Sequence, residues 1–212
     1  MKTKYTVALE AEKVYHIYNR GNNGEFIFFH ADNYKFLLVK LNDYFSDLLI
    51  IHAFCLLSNH FHLLVEIKSE NEIKEAIKFK REHNKLKNYL DSSVEVIISK
   101  QFQFFFISYA KSINKMRERH GSLFEKPYKR KWVMNSDYYK NVMYYIHRNM
   151  IFHGYDIDYK NYPWSSYSKI LEERKSNLPK NYILNQFISK EKFIDFHNND
   201  NDMQNFMDAI ID

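Results

Sequence analysis

The hydrophobic pattern changes period several times along the chain, and each change marks an element. Residues 13–19 (KVYHIYN) alternate and are rich in β-formers, which predicts a strand. Residues 20–24 (RGNNG) form the loop after it. Residues 32–45 (DNYKFLLVKLNDYF) carry apolar side chains at helical spacing and predict an amphipathic helix. Residues 48–57 (LLIIHAFCLL) are apolar on both faces, as in a central buried strand. After the two-residue connection Ser58-Asn59, residues 60–67 (HFHLLVEI) predict a second strand, so the pair reads as an antiparallel hairpin.

Residues 73–90 are charged with a helical pattern, and residues 102–119 form a second long helical stretch. A short basic strand is predicted at residues 128–134 (YKRKWVM). Asn135-Ser136-Asp137 then supplies a capping residue for a helix that runs to about Phe152 and stops at Gly154, a residue suited to the position after a helix end. The order strand, helix, strand, strand, helices, strand, helix is close to a split β-α-β pattern. The expectation is an α+β fold: a ferredoxin-like antiparallel sheet with helices packed on it. Beyond residue 175 the chain is polar, with isolated apolar clusters. Residues 1–170 are read as the main domain and 171–212 as a peripheral helical tail.

Composition adds limits. The chain has 212 residues, with 4 Gly and 3 Pro, so breakers are scarce and connections are short. With 17 Tyr and 18 Phe, no tyrosine is functional merely by being present. A balance of 31 basic against 26 acidic residues mildly favours a polyanionic partner. The single cysteine, Cys55, excludes an internal disulfide framework and a cysteine-rich zinc site, and its apolar surroundings predict a buried thiol. No apolar run approaches the ~18 residues of a membrane span, and the first 13 residues lack the apolar core of a signal peptide. The expectation is a soluble cytoplasmic protein with no membrane partner.

Three groups of residues can carry chemistry. In His60-Phe61-His62, residues i and i+2 of a strand face the same side, so two imidazoles can converge on one divalent ion. The bland alternative is a pair of half-exposed strand histidines. In YYIHRN, Tyr145 and Asn149 stand at i and i+4 on one helical face. A tyrosine hydroxyl can act as a covalent nucleophile, and an Asn carbonyl one turn later is a hard ligand suited to Mg²⁺ or Mn²⁺. The alternative is a core tyrosine with a capping or solvated Asn. Lys126, Lys129, Arg130 and Lys131, interleaved with Tyr128 and Trp132, combine phosphate-neutralising cations with rings that stack on unpaired bases. An edge strand protected by lysines would look the same.

Taken together these stretches resemble the HUH single-tyrosine transposases, the family that includes insertion-sequence transposases and REP-associated tyrosine transposases. AFCLLSNHFHLLVEI (residues 53–67) resembles the family's histidine motif. YHIYNRGNNGEFIF (15–28) is similar to its first strand and loop, which contributes Arg20 to the DNA-binding set. GSLFEKPYKRKWV (121–133) resembles the glycine-plus-basic segment before the catalytic helix. YYIHRNMIFHG (144–154) resembles the tyrosine helix, and YPWSSYSKI (162–170) its downstream Trp-Ser-Ser-Tyr stretch. The likeness covers residues 13–170. Residues 71–99 and those beyond 175 match nothing in the family.

The resemblance implies that His60 and His62 are the metal-binding pair, Tyr145 the nucleophile and Asn149 the third ligand, with Mg²⁺ or Mn²⁺ as cofactor. It implies nicking and joining of single-stranded DNA bearing hairpins or palindromic ends, through a 5′-phosphotyrosine. Tyr144 and Tyr109 are weaker nucleophile candidates, because their i+4 partners are Arg148 and Ile113. Family members act as homodimers or monomers, and both are open here. The family usually carries proline after the Asn; here Met150 stands instead, which lets the helix continue to Phe152. The competing readings are a domesticated REP-type hairpin-binding protein, a non-catalytic single-stranded nucleic-acid-binding module and, last, a zinc site on His60 and His62.

Overall fold

A computed structural model describes residues 7–79 and 85–199. Four strands form one antiparallel sheet: β1 (Val14–Arg20), β2 (Leu49–Leu57), β3 (His60–Ile67) and β4 (Lys129–Trp132), in the spatial order β2-β3-β1-β4. With the helix α1 (Ala31–Phe45) between β1 and β2, this is the ferredoxin-like antiparallel arrangement expected from the strand and helix order.

Strand alternation sorts the side chains into two layers. Tyr15 and Ile17 of β1, Phe54 and Leu56 of β2, and Phe61, Leu63, Val65 and Ile67 of β3 point to one side. There they pack with α1 and with the long helix α3 (Val94–Met116), through Leu37, Leu41, Phe45, Phe102, Phe105 and Tyr109. Ala53, Cys55, Leu57 and Leu64 point to the other side and meet α4 (Ser136–Phe152) through Val142, Met143, Tyr145 and Ile146. A register shift between Ile51 and Ala53 places His52 where its Nδ1 lies 3.0 Å from the Tyr139 hydroxyl, tying β2 to the first turns of α4.

Helix α4 starts where Asn135 accepts a hydrogen bond from the Tyr138 backbone N–H with its side chain, and Gly154 takes the left-handed conformation (φ 72°) just past its end. It continues unbroken through Met150. Its outer side is covered by α5 (Tyr167–Leu171), α6 (Lys180–Gln186) and α7 (Lys190–Asn198), whose Tyr167, Ile183 and Phe193 are buried against it. The Trp-Ser-Ser stretch lines the edge of β2: Leu56 N–H donates to the Trp164 carbonyl (2.9 Å) and Ser166 N–H to the Phe54 carbonyl (2.9 Å).

Two stretches differ from the sequence reading. The helix predicted over residues 73–90 is α2 (Glu70–Phe79) followed by a 3₁₀ turn at Lys85–Tyr89, with residues 80–84 outside the described residues. The next helix begins at Val94, eight residues before the predicted start. Ser93 stands at its cap position, and Val94, Ile97, Ile98, Gln101, Phe102 and Phe105 continue one buried stripe at helical spacing. Within the tail, α6 and α7 are described and residues 200–212 lie outside. Among the described residues no helix is long and apolar enough to cross a membrane.

Candidate active site

The site grows from cross-strand pairing. On the α4 side of the sheet, Cys55, His62, Tyr18 and Lys129 stand opposite one another across the four strands. The neighbouring rows are Leu57, His60 and Arg20 on one side, and Ala53, Leu64, His16 and Lys131 on the other. The two histidines of the HxH motif thus sit beside a Tyr-Lys pair and an Arg, while Phe61 between them packs in the opposite layer.

Helix α4 lies across these rows and lowers Tyr145 and Asn149 onto them. His60 Nε2 is 2.9 Å from Asn149 Oδ1, and its Nδ1 is 2.7 Å from Asn59 Oδ1. The Tyr145 ring meets His62 edge-on, with ring centroids 5.3 Å apart, and stacks on Phe152 at 5.9 Å. His62 meets His60 at 5.3 Å, edge-on. Sheet and helix therefore bring His60, His62, Tyr145 and Asn149 to one point, although Asn149 lies 89 residues from His60. A cleft of about 170 Å³ opens there, lined by Tyr18, Arg20, His60, His62, Lys129, Tyr145 and His153, among others.

Burial sets the protonation of the site. Loss of hydration holds His60 neutral, down to about 4, with His153 as the next contribution. It holds His62 neutral as well, well below the ordinary histidine value, with the neighbouring His16 adding to the effect. Burial pushes the Tyr145 phenol up to about 12, against a smaller opposing pull from the Asn149 side chain. Tyr145 is 3% exposed.

The donor set fits a hard divalent cation. Among the described residues no group of three His, Cys, Asp or Glu side chains is arranged to hold a metal, so a third protein ligand beside His60 and His62 would be a neutral oxygen. Asn149 supplies one. Its Oδ1 is 2.9 Å from His60 Nε2, close enough for both atoms to face one cation. A neutral imidazole has one N–H, yet His60 is flanked by two carbonyl oxygens. One of those contacts sets a lone pair against a lone pair, which either a cation between Nε2 and Oδ1 or a turned Asn149 amide with Nδ2 donating would relieve. The Asn149 Nδ2 is buried with no well-formed hydrogen bond.

The remaining predicted residues divide between locations. Arg20 lines the cleft and pairs with Glu125 (2.5 Å). Lys129 lines it too, with its ammonium 5.9 Å from the centre of the Tyr18 ring. Lys131 is buried on the same side, opposite His16. Arg130 points into the other layer, where it donates to the Val7 carbonyl (2.6 Å) and to the Tyr128 hydroxyl (2.9 Å) and pairs with Glu95 (3.5 Å). Lys126 and Tyr128 line a separate groove against α3. Trp132 is 41% exposed, beneath the Lys13 ammonium.

Tyr144 faces α7, with its hydroxyl 3.4 Å from the Asn199 carbonyl, and Tyr109 is buried in the α3 layer, donating to the Ile27 carbonyl at 2.9 Å. Neither reaches the cleft. The sequence reading missed His16, Tyr18 and His153. The first two share a face through the alternation of β1, but only its pairing with β3 places them beside His62.

No protein-family model matches this sequence, and no curated protein does. Among solved structures the chain is similar to a REP-associated tyrosine transposase bound to a REP hairpin. The match has a TM-score of 0.56 at 12% identity, over 81% of this chain and 86% of that one. At that identity the likeness is one of fold: the four-stranded antiparallel sheet and its packed helices are shared with a tyrosine transposase.

Proposed function

We propose that this protein is a single-strand DNA nicking and joining enzyme of the tyrosine-transposase type, with Tyr145 as nucleophile. The observation that carries the reading is the convergence of Tyr145 and Asn149 from α4 with His60 and His62 from β3 at one cleft. The fold likeness to a transposase bound to a REP hairpin supports a hairpin as part of the substrate.

His60, His62 and Asn149 would hold a Mg²⁺ or Mn²⁺ ion, which would supply charge neutralisation at a scissile phosphate. The chain's own residues do the rest. Burial keeps both imidazoles neutral, so each ring keeps one nitrogen lone pair. Lys129 and Arg20 at the mouth attract and position the DNA backbone. The Tyr145 oxygen attacks phosphorus, and the bond from phosphorus to the 3′ oxygen breaks. The phenol proton is lost and the leaving oxygen gains one. The products are a 5′-phosphotyrosine and a free 3′-hydroxyl. The phosphodiester bond energy stays in the protein–DNA link, so another 3′-hydroxyl reverses the step and joins new ends.

The low exposure and raised pKa of Tyr145 favour a second reading, a hairpin-binding protein without chemistry, in which the phenol serves packing. One experiment separates them. The full chain is incubated with a hairpin-bearing single-stranded oligonucleotide and Mn²⁺, then run under denaturing conditions. A covalent adduct that EDTA prevents supports the enzyme. Retained hairpin binding with no adduct on any of several hairpins supports the binding protein.

A further inference from the structure

His16 has no part in the reaction above, yet it is fully buried and touches the second histidine of the motif. Its Nε2 lies 2.9 Å from His62 Nδ1, and the two rings stack with centroids 5.1 Å apart. Tyr18 stacks on both rings, at 4.8 and 5.3 Å, and the Tyr145 edge meets His16 at 6.0 Å. The other nitrogen of His16, Nδ1, is buried with no hydrogen-bond partner.

We infer that His16 is a positioning residue that sets whether the other ring nitrogen of His62, Nε2, carries a proton or a free lone pair, and with it the affinity of the site for a divalent cation. The inference rests on the reading that His60, His62 and Asn149 hold such an ion. Two neutral imidazoles joined by one N–H can share it in two ways. When His16 donates from Nε2, His62 carries its proton on the cleft-facing Nε2 and cannot ligate. When His62 donates from Nδ1, its Nε2 lone pair faces the cleft and ligation is open. The second arrangement moves the proton of His16 to Nδ1, where no acceptor stands. A buried N–H without a partner is the rarer and less favourable kind of orphan. The metal-free protein therefore rests in the non-ligating arrangement, and cation binding moves both ring protons together. Most metal-bound histidines are held by a carboxylate or carbonyl, which has no second tautomer. A histidine in that place makes the site switchable.

The test uses the full chain as wild type, His16→Gln and His16→Phe. Nitrogen-15 NMR of the imidazoles reports the tautomer of His62, and calorimetry reports Mn²⁺ affinity. Metal-free wild type is expected to show His62 protonated on Nε2, moving to Nδ1 when Mg²⁺ is added. Gln offers a carbonyl acceptor with no orphan, so His16→Gln is expected to hold His62 on Nδ1 without metal and to bind Mn²⁺ at least as tightly as wild type. His16→Phe fills the space but offers no acceptor to His62 Nδ1, and it is expected to bind Mn²⁺ about 10–100-fold more weakly than His16→Gln, the usual effect of losing such a partner. Nδ1 protonation of His62 in metal-free wild type overturns the inference, as does a Phe variant that binds Mn²⁺ within twofold of His16→Gln. If wild type and His60→Ala both fail to bind Mn²⁺, the parent reading falls first, and the inference with it.

Discussion

Four buried histidines and the half-buried His60 make this fold sensitive to mild acid. Burial lowers His16 to about 3, His60 to about 4 and His197 to about 3, and it lowers His62 and His147 well below 6.5. His147 and His197 share a hydrogen bond of 2.9 Å, and His147 also meets the Ser166 hydroxyl at 2.8 Å, so α4, α5 and α7 are joined through neutral rings. The folded protein keeps these rings unprotonated, whereas the unfolded chain binds protons once the pH falls below 6.5. Stability is therefore full above neutrality, falls as the pH drops through 6.5, and levels only near 4 and below, where the folded rings charge too. Between pH 7 and pH 5 each such ring removes about 1.9 kcal/mol. Three independent rings, counting one per hydrogen-bonded pair, remove about 6 kcal/mol, and all five about 9 kcal/mol. That compares with the 5–15 kcal/mol total stability of an ordinary domain. Urea unfolding followed by circular dichroism at pH 7, 6 and 5, with EDTA present so that no metal holds the rings neutral, gives the loss directly. A free energy of unfolding that changes by less than about 1 kcal/mol over this range would refute the burial argument.

Other consequences are measurable. Truncating Phe193→Ala, a fully buried side chain of α7, is expected to cost about 3–5 kcal/mol in denaturant unfolding, because it shares one buried cluster with the sheet residues Ala53, Cys55 and Leu57. Lys129→Ala is expected to reduce the salt dependence of single-strand binding, lowering the slope of log affinity against log salt by about 0.7. Arg130→Ala, whose guanidinium is held in the opposite layer, should lower stability and leave that slope unchanged. Asn149→Ala removes a ligand oxygen and is expected to weaken Mn²⁺ binding in calorimetry by about tenfold or more. Affinity within twofold of wild type would place the ion elsewhere.

The sequence carried the elements with strong periods or clear punctuation. β1, the β2–β3 hairpin and α1 are legible from their alternation or helical spacing, and α4 from Asn135 and Gly154 at its ends. The start of α3 was hidden because β-branched residues open the helix (VEVII) and tertiary packing overrides their propensity. The HxH and Tyr-x₃-Asn pairs were readable because each is local. Their meeting depends on α4 crossing the sheet, which no spacing reports. His16 is a lone histidine on a strand, and its partner is set by the register that aligns Tyr18 with His62. The basic segment shows the opposite error. Read as one patch, it is a strand of period two, so Lys129 and Lys131 face the site while Arg130 faces away. The alternation was present in the sequence and could have divided them.

The claim on which the account turns is the identity of the nucleophile. The chain is trapped on a hairpin-bearing oligonucleotide with Mn²⁺, digested to peptides, and the modified residue located by tandem mass spectrometry. The account predicts a 5′-phosphonucleotide on Tyr145, absent when Tyr145→Phe is used while that variant still binds the hairpin. An adduct on Tyr18 or Tyr144, or an adduct undiminished in Tyr145→Phe, would contradict it.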